Sequence, residues 1–376
     1  MAGDGPLTGT RILDLTDETA IYGAKLLADL GADVVRPEPP AGDPLRQRGP
    51  FKGETSLWHV FFASNRRFFC IDEPGQLEAL AAKSDIVLLS KAGFGADQLD
   101  AEALVSQSPS LVVVDVSPFG RDGPWQDLVA PDLIAGALGG IIGTTGTQDT
   151  PPLKSFGELN FMISGAYAAI AALAAFHQRR SGSAGQVAEV SVHESIASCL
   201  EHVLMFYWYH ETMNREQVRP RSGPMNWTNA YTVYPTRNGC IMVTPAPDFD
   251  QLLVWLLEEG VAEDLIDPRY QEPEMLPQRT AKVMDILKRW VATKDAEELF
   301  HEAQARHMPF GWVIPLSRLK DNPQLEARQW FRDLELNGET IRGPGAPYYF
   351  SETPWQPISY QDVDSVLDQI GWGVQP

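Results

Sequence analysis

The chain has 376 residues, of which 44% are hydrophobic, and 30 Lys and Arg against 50 Asp and Glu give it a formal net charge of −20. This length and apolar content suffice for more than one domain. A chain this negative repels nucleic-acid phosphates and anionic lipid headgroups, so we expect no nucleic-acid or membrane partner. An anionic ligand would need a local group of basic residues.

The first half of the chain alternates short apolar strands with helices. Residues 11–15, 20–30 and 33–36 predict a β-α-β unit, with Gly31 ending its helix. Further strands are predicted at 68–71, 86–89, 111–116 and 186–191, and further helices at 76–83, 161–180 and 193–209. Strands this apolar indicate a sheet covered on both faces, and therefore a Rossmann-like α/β domain.

The composition changes near Arg219, where Pro, Gly and Asn become frequent. A hairpin is predicted across 236–239, followed by helices at 248–259, 279–293 and 295–306 and a last helix at 363–370. We therefore predict that residues 1–218 form the first part of a large Rossmann-like domain. Residues 219–330 would form a small α+β domain, and residues 331–376 would return to the large one.

The sequence indicates a cytoplasmic protein. Residues 1–6 lack the basic and apolar stretches of a secretory leader, and the apolar run 161–176 is shorter than the roughly 20 residues that span a bilayer. The cysteines, Cys70, Cys199 and Cys240, show neither metal-ligand nor CxxC spacing. We predict reduced, buried thiols, no disulfide framework and a core helix over the apolar run.

Familiar cofactor motifs are missing from the sequence. It contains no GxGxxG after a strand, no GxxxxGK[ST], no HExxH and no GxSxG. The glycines between 136 and 146 are spaced for helix packing and turns, so no nicotinamide cofactor is expected. On the helix predicted at 193–209, Glu194 and Glu201 share a face from which His193 and His202 point away, so we expect no metal site.

Basic residues are concentrated near the N-terminus of this acidic chain. The group comprises Arg36, Arg46, Arg48, Arg66 and Arg67. They are predicted to lie near strand ends, where open α/β sheets place ligands, and guanidinium groups pair well with phosphate. Solvated surface arginines are the alternative interpretation.

Ordered motifs run along nearly the whole chain. They stand at 6–16 (PLTGTRILDLT), 25–35 (KLLADLGADVV), 38–46 (EPPAGDPLR), 65–67 (NRR), 119–124 (FGRDGP), 181–186 (SGSAGQ), 234–239 (YPTRNG), 322–328 (NPQLEAR) and 344–347 (PGAP). Together they resemble the class III CoA-transferases, the CaiB/BaiF family of formyl-CoA and carnitine CoA-transferases.

The resemblance implies a Rossmann-like domain built from both chain ends, a small domain between them, and two chains interlocked as a dimer. It also implies that CoA moves from an acyl-CoA, for example succinyl-CoA, to a carboxylic acid, with neither metal nor nicotinamide. On this interpretation the phosphates of CoA are expected at Arg66 and Arg67, with Arg46 and Lys91 as further candidates.

In active members an Asp near the start of the long apolar helix attacks the thioester as a carboxylate and forms a mixed anhydride. The family pattern Asp-x-x-Thr/Ser-Gly falls here on residues 161–165, so Phe161 stands at the nucleophile position. Further departures at 17–22, 89–93 and Gly136 lie in segments that carry the family's chemistry.

Several functions remain open. The favoured hypothesis makes this chain the subunit without the nucleophile in a hetero-oligomeric, benzylsuccinate-type CoA-transferase, paired with an Asp-bearing homologous subunit. Alternatively, Glu158, three residues before the aligned position, serves a self-sufficient, homodimeric enzyme, or the chain is a non-catalytic CoA-binding or regulatory protein. Racemisation is disfavoured because Pro131 stands where the racemases place a His. The sequence does not reveal the acyl donor or acceptor.

Overall fold

The computed structural model describes residues 5–71, 73, 75–214, 217–218, 220–221, 230–245, 248–353, 358–360 and 371–372. Unit 1 comprises Met1–Ile141, Ser155–Cys199 and Gln324–Pro376, and unit 2 comprises Ile142–Lys154 and Leu200–Pro323. The helix predicted at 363–370 lies outside the described residues. The longer segment of unit 2 begins at Leu200. The region predicted as one helix at 193–209 is two helices there, which meet at Cys199 and Leu200.

Strands and helices alternate through the first half of the chain. Its strands are β1 (Arg11–Leu15), β2 (Asp33–Glu38), β3 (Phe51–Lys52), β4 (Thr55–Ser56), β5 (Arg66–Cys70), β6 (Ile86–Ser90), β7 (Val112–Ser117) and β8 (Val187–Ser191). Its helices are α1 (Ile21–Asp29), α2 (Leu57–Ala63), α3 (Gln76–Ala81), α4 (Ala101–Gln107), α5 (Asp132–Leu138), α6 (Ile141–Thr144), α7 (Leu159–Arg180) and α8 (Val192–Ser198).

Unit 1 is built on a six-stranded sheet in the order β5-β2-β1-β6-β7-β8. All neighbouring pairs are parallel. The chain runs outward from β1 in one direction through β2 and β5, then returns and runs in the other direction from β6. The strand order therefore reverses between β1 and β6, which is where doubly wound sheets bind ligands.

Both faces of this sheet are covered, as the apolar strands predict. Alternate residues face opposite sides because the side chains of a strand alternate. Ile12, Val34 and Ile86 pack with residues of α1, α7 and α8. Leu13, Val35 and Val87 pack with residues of α3 and α4.

Helix α7 has 22 residues and is long and apolar enough, by length and composition alone, to cross a membrane. Half of its most apolar window is buried within the protein, and Ala168, Ala172 and Phe176 join the core over the sheet. A Cβ atom on Gly23 of α1 would lie 2.5 Å from the carbonyl oxygen of Gly165 in α7. The two helices therefore cross in backbone contact, which fits the predicted core helix.

The later part of the chain adds the strands β9 (Thr232–Pro235), β10 (Cys240–Val243), β11 (Gly311–Trp312), β12 (Phe331–Leu336) and β13 (Glu339–Pro344). Its helices are α9 (Glu201–Trp208), α10 (Phe249–Glu258), α11 (Leu276–Val291), α12 (Ala296–Ala305), α13 (Leu316–Leu319) and α14 (Pro323–Ala327). In unit 2 the antiparallel sheet β11-β10-β9 contains the predicted hairpin. Trp255, Trp290 and Phe310 centre its core.

The prediction of buried thiols is wrong. Cys70 and Cys240 are only partly buried, and Cys199 is exposed. Cys199 caps the end of α8, where the chain turns toward α9, so its side chain is not covered by the sheet core. All three cysteines are free.

Candidate active site

The loops that follow β1 and β6 are joined at the carboxyl edge of the sheet. The main-chain N–H of Asp17 donates to Ser90 Oγ (2.5 Å), and that of Ala92 donates to Asp17 Oδ2 (3.0 Å). A Cβ atom on Gly93 would lie 1.8 Å from the carbonyl oxygen of Leu15, so only glycine allows this approach. Two hydrogen bonds and a close backbone contact therefore join the two loops at the point of strand reversal.

Lys91 lies on the second of these loops. Its side chain is exposed, and Nζ donates to the carbonyl oxygen of Gln126 at 2.8 Å. Lys91 is therefore exposed on a loop at the point of strand reversal.

Arg66 and Arg67 begin β5, so they start at the amino edge of the sheet and do not follow a strand's carboxyl end. This corrects the expected placement. Arg66 is only 3% exposed: Nη2 donates to the carbonyl oxygen of Ile21 (2.7 Å), and Nη1 lies 3.1 Å from Asp14 Oδ2. Arg67 binds Asp33 through Nη2 at 2.6 Å. Burial of Arg66 argues against direct contact with a phosphate, while Arg67 is partly exposed.

Arg46 belongs to a second set of internal contacts. Its Nη2 lies 2.7 Å from Glu38 Oε1, and Nη1 donates to the hydroxyl of Tyr360 at 2.7 Å. Its guanidinium also lies 4.7 Å from the ring centroid of Phe68. These contacts hold the Arg46 side chain within the fold. A phosphate would have to compete with the buried carboxylate of Glu38 for the Arg46 guanidinium.

Asp14 and Asp43 contribute carboxylates to the ion network near Arg46, and their neighbours change the pKa values of both. Burial alone would raise the pKa of Asp14, but the nearby Arg66 and Arg36 outweigh it and lower that pKa. The pKa of Asp43 is also lowered, because Arg36 and a hydrogen bond from His59 outweigh its burial. Burial lowers the pKa of Arg66 to about 10, although Asp14 offsets part of that effect.

His59 is fully buried between Asp43 and Tyr360. Its Nε2 lies 3.3 Å from Asp43 Oδ2, and its Nδ1 lies 2.8 Å from the Tyr360 hydroxyl. Burial lowers the pKa of His59, which favours the neutral imidazole. Ligand atoms of Glu38, Asp43 and His59 lie within 4.8 Å of one another, as a metal site requires. Arginine side chains already pair with both carboxylates, so these residues fit an ion network better than a cation.

The metal cluster considered at residues 193–202 gains no support from the described side chains. His193 Nε2 lies 3.1 Å from the carbonyl oxygen of Leu138. The side chains at 201 and 202 lie outside the described ones. The expected packing role of the glycine-rich run is confirmed at Gly139, whose Cβ would meet Ile196 at 2.6 Å.

Phe161, which the family resemblance aligns with the nucleophile, lies at the start of α7. It is 4% exposed and belongs to the core over the sheet. Its main-chain N–H donates to Asp132 Oδ1 (3.2 Å), and Asn160 Nδ2 donates to Asp132 Oδ2 (3.0 Å). Nothing in the sequence indicates that Asp132 accepts from the first turn of this helix, because Asp132 and Phe161 are 29 residues apart and only the fold joins them.

Glu158 immediately precedes α7 and is the carboxylate proposed from the sequence as a substitute. Its carboxylate pairs with Arg48 and accepts a hydrogen bond from Trp58 Nε1 at 3.1 Å. The Arg48 guanidinium lies 4.4 Å from the centroid of the Trp58 ring. We call Arg48, Trp58 and Glu158 the Arg48 cluster. Glu158 is therefore held by two partners and is not a free nucleophile in this structure.

Comparison with known proteins gives the family. The model described as CoA-transferase family III matches residues 7–361. The chain belongs to this family. It is 30% identical over 343 residues to a succinyl-CoA–D-citramalate CoA-transferase of Chloroflexus aurantiacus, covering 86% of this chain and 82% of that protein. Both the predicted family and the prediction of a CoA-transferase enzyme are confirmed.

Two further relatives bear on the subunit question and the fold. Over 379 residues the chain is 30% identical to subunit BbsE of the succinyl-CoA:(R)-benzylsuccinate CoA-transferase of Thauera aromatica, covering 92% of this chain and 88% of that one. A crystal structure of a CAIB/BAIF family protein from Brucella suis has a TM-score of 0.79 and 24% identity, covering 94% of each chain. This likeness supports the mixed α/β fold with its parallel sheet.

Proposed function

We propose that this chain takes part in CoA transfer from succinyl-CoA to a carboxylic acid as the subunit that lacks the nucleophile. The observation that carries the proposal is Phe161, a buried ring at the family's nucleophile position. Succinyl-CoA as the donor rests on the names of two relatives, which act on D-citramalate and (R)-benzylsuccinate.

The family chemistry needs a free carboxylate. A carboxylate oxygen attacks the thioester carbon, the C–S bond breaks, and the CoA thiolate leaves. The thiolate then attacks the carbonyl of the enzyme's carboxyl group in the resulting anhydride, which forms an enzyme–CoA thioester and releases the donor acid. A phenyl ring has no oxygen for this step. At the start of α7, the described carboxylates of Asp132 and Glu158 both have hydrogen-bonding partners. The proposal therefore places the reaction on an Asp of a homologous subunit.

A homologous partner also accounts for exposed apolar residues of unit 1. Leu133 and Leu138 of α5 and Ile170 of α7 are large, apolar and exposed. Residues of this kind are usual where subunits pack. The proposal includes an interlocked dimer in which the partner is the Asp-bearing subunit, and BbsE is itself named as a subunit. Localisation in the cytoplasm stays a prediction.

CoA binding by this chain is proposed at the carboxyl edge of the sheet. Lys91 is the strongest of the predicted phosphate ligands, because it is exposed on the loop after β6. Arg67 and Arg46 are proposed as weaker contacts, since both already pair with carboxylates. Arg66 is proposed to pair with Asp14 inside the fold and not to touch the ligand.

The test is covalent trapping. The isolated chain, and the chain co-purified with its Asp-bearing partner, are incubated with succinyl-CoA, treated with hydroxylamine, and analysed by peptide mass spectrometry. We expect modification only on the partner's Asp. An adduct on Glu158 of the isolated chain, lost in Glu158→Gln, would establish the self-sufficient enzyme instead. Tight CoA binding without transfer in any partner mixture would support the regulatory alternative.

A further inference from the structure

The Arg48 cluster contains a partly exposed ion pair that has no role in the proposed transfer reaction. Arg48 has 33% of its side chain exposed and Glu158 has 20%, so this ion pair meets solvent. Arg36 and Arg66, by contrast, are buried and paired with Asp14. A dissolved ligand can therefore reach the ion pair that the Arg48 guanidinium forms with Glu158 near the start of α7.

The environment of Arg48 suits the recognition of a carboxylate. The Arg48 Cζ atom lies over the Trp58 ring, 4.4 Å from the ring centroid. Stacking on an aromatic ring restrains the plane of a guanidinium and leaves its edge, with its N–H donors, free to bind. A carboxylate matches that edge with two parallel hydrogen bonds. Glu158 now occupies this edge.

The cluster also lies beside the reaction centre that the family motif defines. Glu158 immediately precedes the first residue of α7, and Phe161 is the third residue of that helix. Trp58 Nε1 holds the second oxygen of Glu158, so the carboxylate is bound much as a substrate carboxylate would be. An acyl group at this helix start therefore has a cationic site within reach.

We propose that Arg48 is a specificity residue that binds the distal carboxylate of a dicarboxylic acyl group, and that Glu158 takes its place while the site is empty. This inference rests on the proposed function and names its substrate class as dicarboxylic. Binding exchanges one carboxylate for another at Arg48, so the charge of the pair is preserved. Glu158 then acts as an internal competitor and not as a nucleophile.

The experiment compares two ligands that differ at one end. Succinyl-CoA and butyryl-CoA have acyl chains of equal length, but the first ends in a carboxylate and the second in a methyl group. Calorimetry measures the dissociation constants of both, and of CoA itself, for the wild-type chain purified with its partner. We expect wild type to prefer succinyl-CoA by about tenfold or more, as a charge-assisted pair allows.

Substitutions separate the two roles. We expect Arg48→Met, which keeps an apolar stem over Trp58, to abolish the preference while leaving butyryl-CoA affinity unchanged. Arg48→Lys should retain part of the preference, because an ammonium is a point charge without the bidentate edge. Glu158→Gln should tighten succinyl-CoA several-fold by removing the competitor. Arg342→Met is the matched control, since it removes another exposed arginine that pairs with a glutamate, Glu326.

Opposite results overturn the inference. A succinyl-CoA preference that survives in Arg48→Met, or weaker succinyl-CoA binding in Glu158→Gln, would show that Arg48 does not bind the distal carboxylate. Wild type binding CoA but not distinguishing the two acyl groups would refute the inference and leave the proposed function standing. Failure to bind any CoA compound would instead refute CoA binding by this protein, and the inference with it.

Discussion

The main-chain N–H of Phe161 donates a 3.2 Å hydrogen bond to the carboxylate of Asp132. Asp132 also accepts from the side chain of Asn160, so one buried carboxylate satisfies two donors at the start of α7. The backbone at Phe161 is therefore held from α5 by a contact that does not involve the Phe161 side chain.

Removing this cap should destabilise the protein. In Asp132→Ala the Phe161 N–H and the Asn160 amide lose their acceptor, and we expect a loss of about 1–3 kcal/mol in the free energy of unfolding. Asp132→Asn keeps one acceptor oxygen and should lose less. Urea unfolding followed by circular dichroism measures both. Equal stability of Asp132→Ala and wild type would mean that the contact contributes nothing.

Phe161 should matter for stability and not for acylation. Phe161→Ala leaves a cavity in the core over the sheet, and we expect it to cost about 3–5 kcal/mol, whereas Phe161→Leu should cost less. Neither change should alter trapping on the partner's Asp, provided that the assay is run where the variants are folded. A large loss of transfer in the folded Phe161→Leu complex would contradict the packing role and place the ring against the substrate.

The parallel sheet follows from the sequence because short apolar runs separated by helices leave few other arrangements. The loop position of Lys91 could be predicted for the same reason, since it lies two residues after the strand predicted at 86–89 and directly after the observed strand β6. The burial of Arg66 could not be foreseen, because its partner Asp14 belongs to a different strand and no local pattern joins them. The same holds for the pairing of Arg48 with Glu158, which are 110 residues apart.

The helix crossing between α1 and α7 should not tolerate a methyl group. Gly23→Ala would bring its Cβ to 2.5 Å from the carbonyl oxygen of Gly165, so backbone must move. We expect a loss of about 1–3 kcal/mol, as for other overpacked cores. Gly343→Ala is the control, because no atom lies within 4 Å of its Cβ position. Similar melting temperatures for the two variants would show that the helices can separate without cost.

Acid should weaken the protein partly through His59. Its pKa is lowered in the folded protein, so below the unfolded value near 6.5 the unfolded chain binds a proton that the folded chain does not. The stabilisation is complete above that pH and is lost as the pH falls toward the folded pKa. We expect His59→Gln to lose less unfolding free energy than wild type between pH 7.5 and pH 5.5, measured by urea titration. Parallel losses would exclude His59 as the titrating group.

Protonation of Asp14 should reduce the stability of the protein at lower pH than protonation of His59 does. The pKa of Asp14 lies below the usual 3.8, so its stabilisation is present above about pH 4 and is lost as the pH falls through the folded value. Arg66→Met leaves the buried Asp14 with one cationic partner fewer, and we expect a loss of about 3–5 kcal/mol at pH 7. That loss should shrink at pH 3 in the variant, because protonation relieves the unpaired charge. A pH-independent loss would point to packing alone.

Lys91 and Arg66 should behave oppositely in CoA binding. Lys91→Met removes an exposed ammonium at the point of strand reversal, and we expect at least about a fivefold rise in the dissociation constant for CoA at unchanged melting temperature. The effect should diminish at high salt, since screening weakens contacts between solvent-exposed charges.

Arg66→Met, assayed below its own melting temperature, should bind CoA with nearly normal affinity, because the guanidinium of Arg66 is turned toward Asp14 and Ile21. Arg318→Met serves as the control for a lost exposed cation, since Arg318 pairs with Glu297 in unit 2. If Arg66→Met lost CoA affinity while Lys91→Met kept it, the phosphates would bind on the side of β5, and the placement of CoA at the β1–β6 reversal would have to be abandoned.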